Sequence, residues 1–109
     1  MEALFAYGTL LDPGVQRSVI GRRVKARPDV LPGYRKGVLE FPEAAYFIAI
    51  PDERGKIEGG VIEVTPEELR RIDRYEGEEY ERAAVTLASG LRAWVYRRPQ
   101  AKPDVTPEG

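Results

Sequence analysis

At 109 residues, 42% of them hydrophobic and 32% charged, the chain has room for one folded domain around one core and not for two. Its net charge of −1 and the lack of any basic block argue against a nucleic-acid partner. With no Cys and no His, disulfides, thiol nucleophiles, thiolate metal sites and Ser-His-Asp or Cys-His catalysis are excluded, so proton transfer falls to a carboxylate, Tyr, Lys, Ser or Thr, and any metal site to oxygen ligands.

Ala3-Leu4-Phe5-Ala6-Tyr7 is a short apolar run closed by Gly8, which predicts a buried first strand ending in a turn. Asp12-Pro13-Gly14 to Ile20-Gly21 has a cap, a Pro start and a Gly stop, the marks of a short helix or irregular turn. Val24 to Leu31 and Tyr34 to Phe41 read as strands separated by a Pro32-Gly33 break. Tyr46-Phe47-Ile48-Ala49-Ile50 is a buried strand ended by Pro51 and a polar turn through Arg54-Gly55, and Gly59 to Val64 follows hairpin-like. Thr65-Pro66-Glu67-Glu68 opens a helix with an N-cap, a Pro at the first position and a capping-box Glu, and Gly77 stops it. Arg82 to Ala88 and Leu91 to Tyr96, around Ser89-Gly90, make a terminal hairpin; the Pro-rich stretch 99–109 is expected to be loose beside a single domain over 1–98. The apolar stretches are short and Glu2 stands where a basic leader would begin, so a cytoplasmic protein with no membrane partner is expected.

The fold class is therefore α+β: a small, strongly bent, mixed and barrel-like sheet of about six strands with one main helix over an opening. A flat open sheet is the alternative. Pro32-Gly33 and Gly59-Gly60 are the places where such a sheet would bend or bulge.

Two segments carry candidate chemistry. At about 100° per residue, Leu69, Ile72 and Tyr75 form the apolar stripe of the 65–77 helix, and Glu76 falls between the directions of Leu69 and Ile72. Burial, the negative helix end and Asp73 one turn back would each push its carboxyl pKa toward neutrality, the range a general base needs. The other reading of Tyr75-Glu76-Gly77-Glu78-Glu79 is a solvated acidic turn. In Tyr7-Gly8-Thr9-Leu10, Gly8 permits backbone angles that would turn the amides of Gly8, Thr9 and Leu10 toward one anion; an ordinary strand-to-turn transition is the alternative.

The loop Tyr7-Gly8-Thr9-Leu10, the break Pro32-Gly33-Tyr34, Glu58-Gly59, Leu69, Ile72-Asp73, and Tyr75-Glu76-Gly77 followed by Tyr80 and Arg82 together resemble the gamma-glutamylcyclotransferase family, and its short AIG2-like and gamma-glutamylamine cyclotransferase members in particular. The resemblance runs from position 4 to about position 96. It implies a bent β-barrel in which Glu76 matches the catalytic glutamate and Tyr7, Gly8, Thr9 and Leu10 match the loop that binds the gamma-glutamyl moiety. Tyr34, Tyr80, Arg82 and Tyr96 match aromatic or polar positions around the cavity. Arg82 is either a brace paired with a carboxylate or a strand-surface residue, and Tyr80 and Tyr96 either lend hydroxyls or pack. The activity implied is cyclisation of a small gamma-glutamyl amide to 5-oxoproline without metal or cofactor. A binding or regulatory module on the same fold, or a lyase or acyltransferase acting on a gamma-glutamyl group of a larger carrier, are the rival classes.

Overall fold

The computed structural model describes residues 1–98; the expected loose tail over 99–109 lies outside the described residues. At the middle of the sheet is β1 (Glu2–Ala6). Its Leu4-Phe5-Ala6 sequence has no polar face because neither face meets water. Leu4 and Ala6 join one apolar cluster with Ile62, Val64, Leu69 and Ile72, while Phe5 and then Tyr7 join another with Leu31, Ile57, Val61 and Val95. A 3₁₀ turn over Thr9–Leu11 follows, then α1 (Pro13–Ile20), capped by Asp12, whose carboxylate accepts from the Gly14 amide at 2.7 Å.

The long ribbon of β2 (Arg27–Glu40) and β3 (Ala45–Val64) corrects the sequence reading. Four expected strand segments merge into two, because the breaker residues fall opposite one another in a bulge. Pairing jumps from Pro32–Lys56 to Tyr34–Pro51, leaving Gly33, at φ +84°, to face the polar stretch Asp52–Gly55. The ladder bends there and continues, so Pro51 does not end the strand. Gly59-Gly60 makes no bulge: Asp29 pairs with Gly59, and Pro28 and Ala6 flank Gly60, all in unbroken register. Those glycines serve close packing, since a Cβ on Gly59 would lie 2.4 Å from the Ala6 carbonyl oxygen and 2.8 Å from the Phe5 ring.

β3 delivers the chain to α2 (Pro66–Glu76), which leads through a 3₁₀ turn (Gly77–Glu79) into β4 (Glu81–Thr86) and β5 (Arg92–Arg97). The described strands therefore number five, in the order β2-β3-β1-β5-β4, with β1 antiparallel to β3 and parallel to β5. The mixed sheet curls into a half-barrel. Where β4 ends, the Ala88 amide donates to the Val30 carbonyl at 2.8 Å and the Ser89 hydroxyl to Asp29 at 2.6 Å, which ties the β4–β5 turn back to β2.

The capping box of α2 forms as its sequence requires: the Glu68 amide donates to Thr65 Oγ1 at 3.0 Å and Glu68 accepts from the Thr65 amide at 2.9 Å. Glu68 also receives two bonds from the Arg22 guanidinium, both 2.7 Å. Leu69 and Ile72 are buried on the sheet and Arg70, Arg71 and Arg74 face solvent, as the stripe predicts. Tyr75 departs from it, at 44% exposed. Each i, i+3 step turns about 60° further around the helix, so by the third apolar position the stripe has left the core. No helix among the described residues is long and apolar enough to cross a membrane.

Candidate active site

Simple lengths explain why Glu76 and the 7–10 loop meet. Val64 pairs with Glu2, so α2 starts beside the first residue of β1 and returns along the sheet in the direction of β1. Eleven helical residues rise about 16 Å. Five strand residues rise about the same. Helix end and strand end arrive level, which places Glu76 beside Tyr7-Gly8-Thr9-Leu10.

All five of these residues line one cavity of about 380 Å³, with Tyr75, Tyr80, Tyr96 and the start of β3, Ala45-Tyr46-Phe47, completing its wall. A second cavity of about 300 Å³ shares Tyr46, Tyr75, Glu76 and Tyr80 with the first and extends toward Leu39, Phe41, Glu43, Glu79 and Arg98. Glu76 thus stands at the junction of an inner and an outer chamber.

Burial pushes the Glu76 carboxyl up to about 7. Of the three causes expected from sequence, this one accounts for the shift. Asp73 does not act as a free like charge, because its Oδ1 is 3.1 Å from Arg82 Nε and accepts the Tyr96 hydroxyl at 2.5 Å. Arg71 pairs with Glu67, at 3.3 Å, and not with Glu76. The acidic-turn reading fits Glu78 and Glu79, which are exposed, while Glu76 is half-buried in the cavity wall.

The tyrosines present rings to the cavity and commit their hydroxyls to the protein. Tyr7 donates to the Tyr96 carbonyl at 2.6 Å and Tyr80 to the Phe47 carbonyl at 2.8 Å. Burial, chiefly, pushes Tyr80 up to about 12 and Tyr7 and Tyr96 higher still, so all three are neutral hydroxyls across the working range. Thr9 Oγ1 and the Tyr75 hydroxyl lie 2.7 Å apart and bridge the loop to the helix end.

The loop itself is held from behind. Buried Gln16 of α1 donates to the Leu10 carbonyl and accepts from the Val24 amide, each at 2.8 Å. Gly8 sits at φ −144° and ψ −133°, without the positive φ that a glycine allows, and the amides of Leu11 and Asp12 close the 3₁₀ turn onto the Gly8 and Thr9 carbonyls. The amides of Gly8, Thr9 and Leu10 fall at the N-terminal, donor-rich end of that turn.

Two sequence-derived site residues stand outside the inner cavity. Tyr34 accepts from Arg97 at 2.7 Å beside the half-barrel core, and Arg82 takes the brace position, paired with Asp73 and stacked 4.4 Å over the Trp94 ring. In the other direction, Tyr46 and Phe47 are lining residues that the sequence reading assigned to a buried strand, yet they are 47% and 44% exposed. They lie where the β2–β3 ribbon overshoots β1, and no local pattern marks that overshoot. Among the described residues, no three Asp or Glu side chains converge as a metal site.

Comparison with known proteins gives a family model described as gamma-glutamyl cyclotransferase, AIG2-like, that matches residues 4–109. The chain belongs to the AIG2-like gamma-glutamyl cyclotransferase family. Among curated relatives, AIG2-like protein A of Arabidopsis thaliana is 35% identical over 88 residues, covering 80% of this chain and 52% of that protein. Protein AIG2 C of the same plant is 35% identical over 85 residues, 77% of this chain and 50% of its own length. The chain therefore spans about half the length of the curated relatives it matches. A solution structure of an Arabidopsis thaliana protein superposes with a TM-score of 0.79 at 30% identity, over 99% of this chain and 76% of that one. An uncharacterised protein from Pyrococcus horikoshii shares the fold, with a TM-score of 0.67 at 23% identity over 93% of this chain and 80% of its own.

Proposed function

We propose that this AIG2-like chain cyclises a gamma-glutamyl amide to 5-oxoproline, with Glu76 as the group that moves the proton. One observation carries the reading: a half-buried carboxyl with its pKa raised to about 7 lines the same cavity as the loop that follows the central strand. Such a group is balanced between accepting and returning a proton near neutral pH.

The substrate brings its own nucleophile and electrophile, so the protein needs no covalent intermediate. The gamma-glutamyl end occupies the inner chamber with its α-carboxylate or its developing oxyanion toward the amides of residues 8–10. Glu76 takes a proton from the α-ammonium, and the freed amine lone pair attacks the side-chain carbonyl carbon to form the ring C–N bond. Collapse of the tetrahedral intermediate breaks the bond to the departing nitrogen, which receives that proton from Glu76, and the second proton that the ring nitrogen must lose passes through Glu76 to the same departing amine. The products are 5-oxoproline and an amine or amino acid, and the carboxylate is regenerated. The aromatic walls Tyr46, Tyr75, Tyr80 and Tyr96 hold the chain folded for attack and limit water. The outer chamber, which Glu76 also borders, receives the leaving group.

The test is incubation of the purified protein with gamma-glutamyl amino acids, gamma-glutamylamines and glutathione, followed by quantification of 5-oxoproline. Release from at least one class is expected. A protein that binds such compounds and releases none from any of them is a binding module on this fold.

A further inference from the structure

Arg82 and Asp73 do not line the inner cavity, yet a continuous chain of polar contacts runs from them into both halves of the site. Arg82 of β4 lies flat over Trp94 of β5, with Cζ 4.4 Å from the ring centroid, and its Nε is 3.1 Å from Asp73 Oδ1 on α2. The same oxygen accepts the hydroxyl of Tyr96 on β5 at 2.5 Å, and the Tyr96 carbonyl accepts the hydroxyl of Tyr7 at 2.6 Å. Tyr7 is the first residue of the 7–10 loop, and Asp73 stands one turn before Glu76. Four elements are joined: β4, the last turn of α2, β5 and the end of β1.

We propose that Arg82 and Asp73 are positioning residues for Glu76: their ion pair fixes the end of α2 against the Tyr96–Tyr7 wall and cancels the carboxylate one helical turn before the catalytic one. The inference rests on the cyclisation reading for its catalytic meaning, but its physical content belongs to the folded protein alone. Side chains three apart on a helix have Cβ atoms about 5–6 Å apart, so an unpaired Asp73 carboxylate would oppose ionisation of Glu76 and carry its titration above the neutral range. In the folded protein Asp73 is turned to Arg82 and Tyr96, and burial is the cause of the raised Glu76 pKa. The tie is also geometric. Asp73 is the acceptor that fixes the Tyr96 hydroxyl, and the Tyr96 backbone is the acceptor that fixes Tyr7, so the distance between helix end and loop is set through this chain.

The other groups around Glu76 do not substitute for the pair. Tyr7 after β1, Tyr46 from β3, Tyr80 from the turn after α2 and Tyr96 from β5 line the inner cavity and bring no charge that offsets Asp73. On the outer side, Glu43 lies in the β2–β3 turn, and Glu79 is paired with Arg98 at 2.7 Å. Arg82 is the cation that answers Asp73.

The experiment is a charge cycle read directly on Glu76. Its side-chain carboxyl is titrated by ¹³C NMR in the parent, Arg82→Gln, Asp73→Asn and the double variant, without substrate, and the pH profile of cyclisation is recorded beside it. Arg82→Gln leaves Asp73 unneutralised and should raise the Glu76 midpoint by roughly half a unit to one unit. Asp73→Asn keeps an acceptor for Tyr96, leaves Arg82 uncompensated and should lower the midpoint by a similar amount; the double variant should return near the parent. The acid limb of the profile should move with each midpoint. Glu76 titrating within about 0.2 unit of the parent in both single variants, or moving the same way in both, would overturn the inference, because charge cancellation requires opposite shifts and a lost mechanical brace moves both midpoints alike. If Arg82→Gln fails to fold, Asp73→Asn decides alone: a lowered midpoint supports the inference and an unmoved one overturns it. A parent that releases no 5-oxoproline sinks the cyclisation reading and with it the catalytic meaning of the pair, whereas a cyclising parent with unmoved midpoints sinks this inference alone.

Discussion

Replacing Glu76 by Gln should make the protein more stable above neutral pH and no more stable in acid. The carboxyl has a folded pKa of about 7 against a reference of 4.5, because burial penalises its charged form. Between those two values the unfolded chain has released a proton that the folded chain still holds. The group's stabilising contribution is therefore fully present below about pH 4.5, falls as pH rises, and is gone above about pH 7. A shift of about 2.5 units at about 1.36 kcal/mol per unit sets a ceiling near 3.4 kcal/mol. The side chain is only half-buried, so about 1–2 kcal/mol is the expected effect after solvent screening. Urea unfolding of parent and variant at pH 4 and pH 8 measures it. The two proteins should unfold at similar urea concentrations at pH 4, and Glu76→Gln at the higher concentration at pH 8. Equal stability at both pH values, or a variant weaker at pH 8, would refute the claim that a desolvated carboxyl sits at this helix end.

Gly59→Ala should destabilise by about 1–3 kcal/mol through overpacking, since the new methyl meets the Ala6 carbonyl oxygen at 2.4 Å, and thermal unfolding should show it. Glu68, held down to about 2 first by its bonds from Arg22, contributes stability above its ordinary pKa of 4.5 that is lost as pH falls toward 2; Arg22→Gln should cost about 1 kcal/mol at pH 7 and nothing at pH 2 by chemical denaturation. Tyr75→Phe removes the 2.7 Å bridge to Thr9 between helix end and loop, and should lower kcat/KM about tenfold in the cyclisation assay while leaving the melting temperature within a degree or two.

Local chemistry made α2 legible residue by residue. Thr65, Pro66, Glu68 and Gly77 each act on the backbone within four positions, and the Leu69–Ile72 stripe followed from the helical period. Glu76 could be placed for the same reason, since its angle on the helix is fixed by Leu69 and Ile72. The β2–β3 ribbon was less legible. Pro32, Gly33 and Pro51 are strand breakers in isolation, and only their mutual placement across the ribbon turns two breaks into one bulge. The roles of Tyr46 and Phe47 depend on how far that ribbon projects past β1, and the role of Arg82 on a partner nine positions away reached through the sheet. Gln16 was missed altogether: a buried amide clasping Leu10 and Val24 has no sequence signal beyond its position in a capped helix.

The most direct test of the central claim compares 5-oxoproline formation by the parent and by Glu76→Gln on the substrate the parent cyclises best, with 5-oxoproline binding to both measured by calorimetry. If Glu76 moves the proton, turnover should fall by about 10²–10⁴-fold while product affinity stays within a few-fold, because the amide keeps the shape of the chamber but cannot accept the proton. A Glu76→Gln protein that releases 5-oxoproline at close to the parent rate would contradict the assignment of Glu76 as the catalytic group.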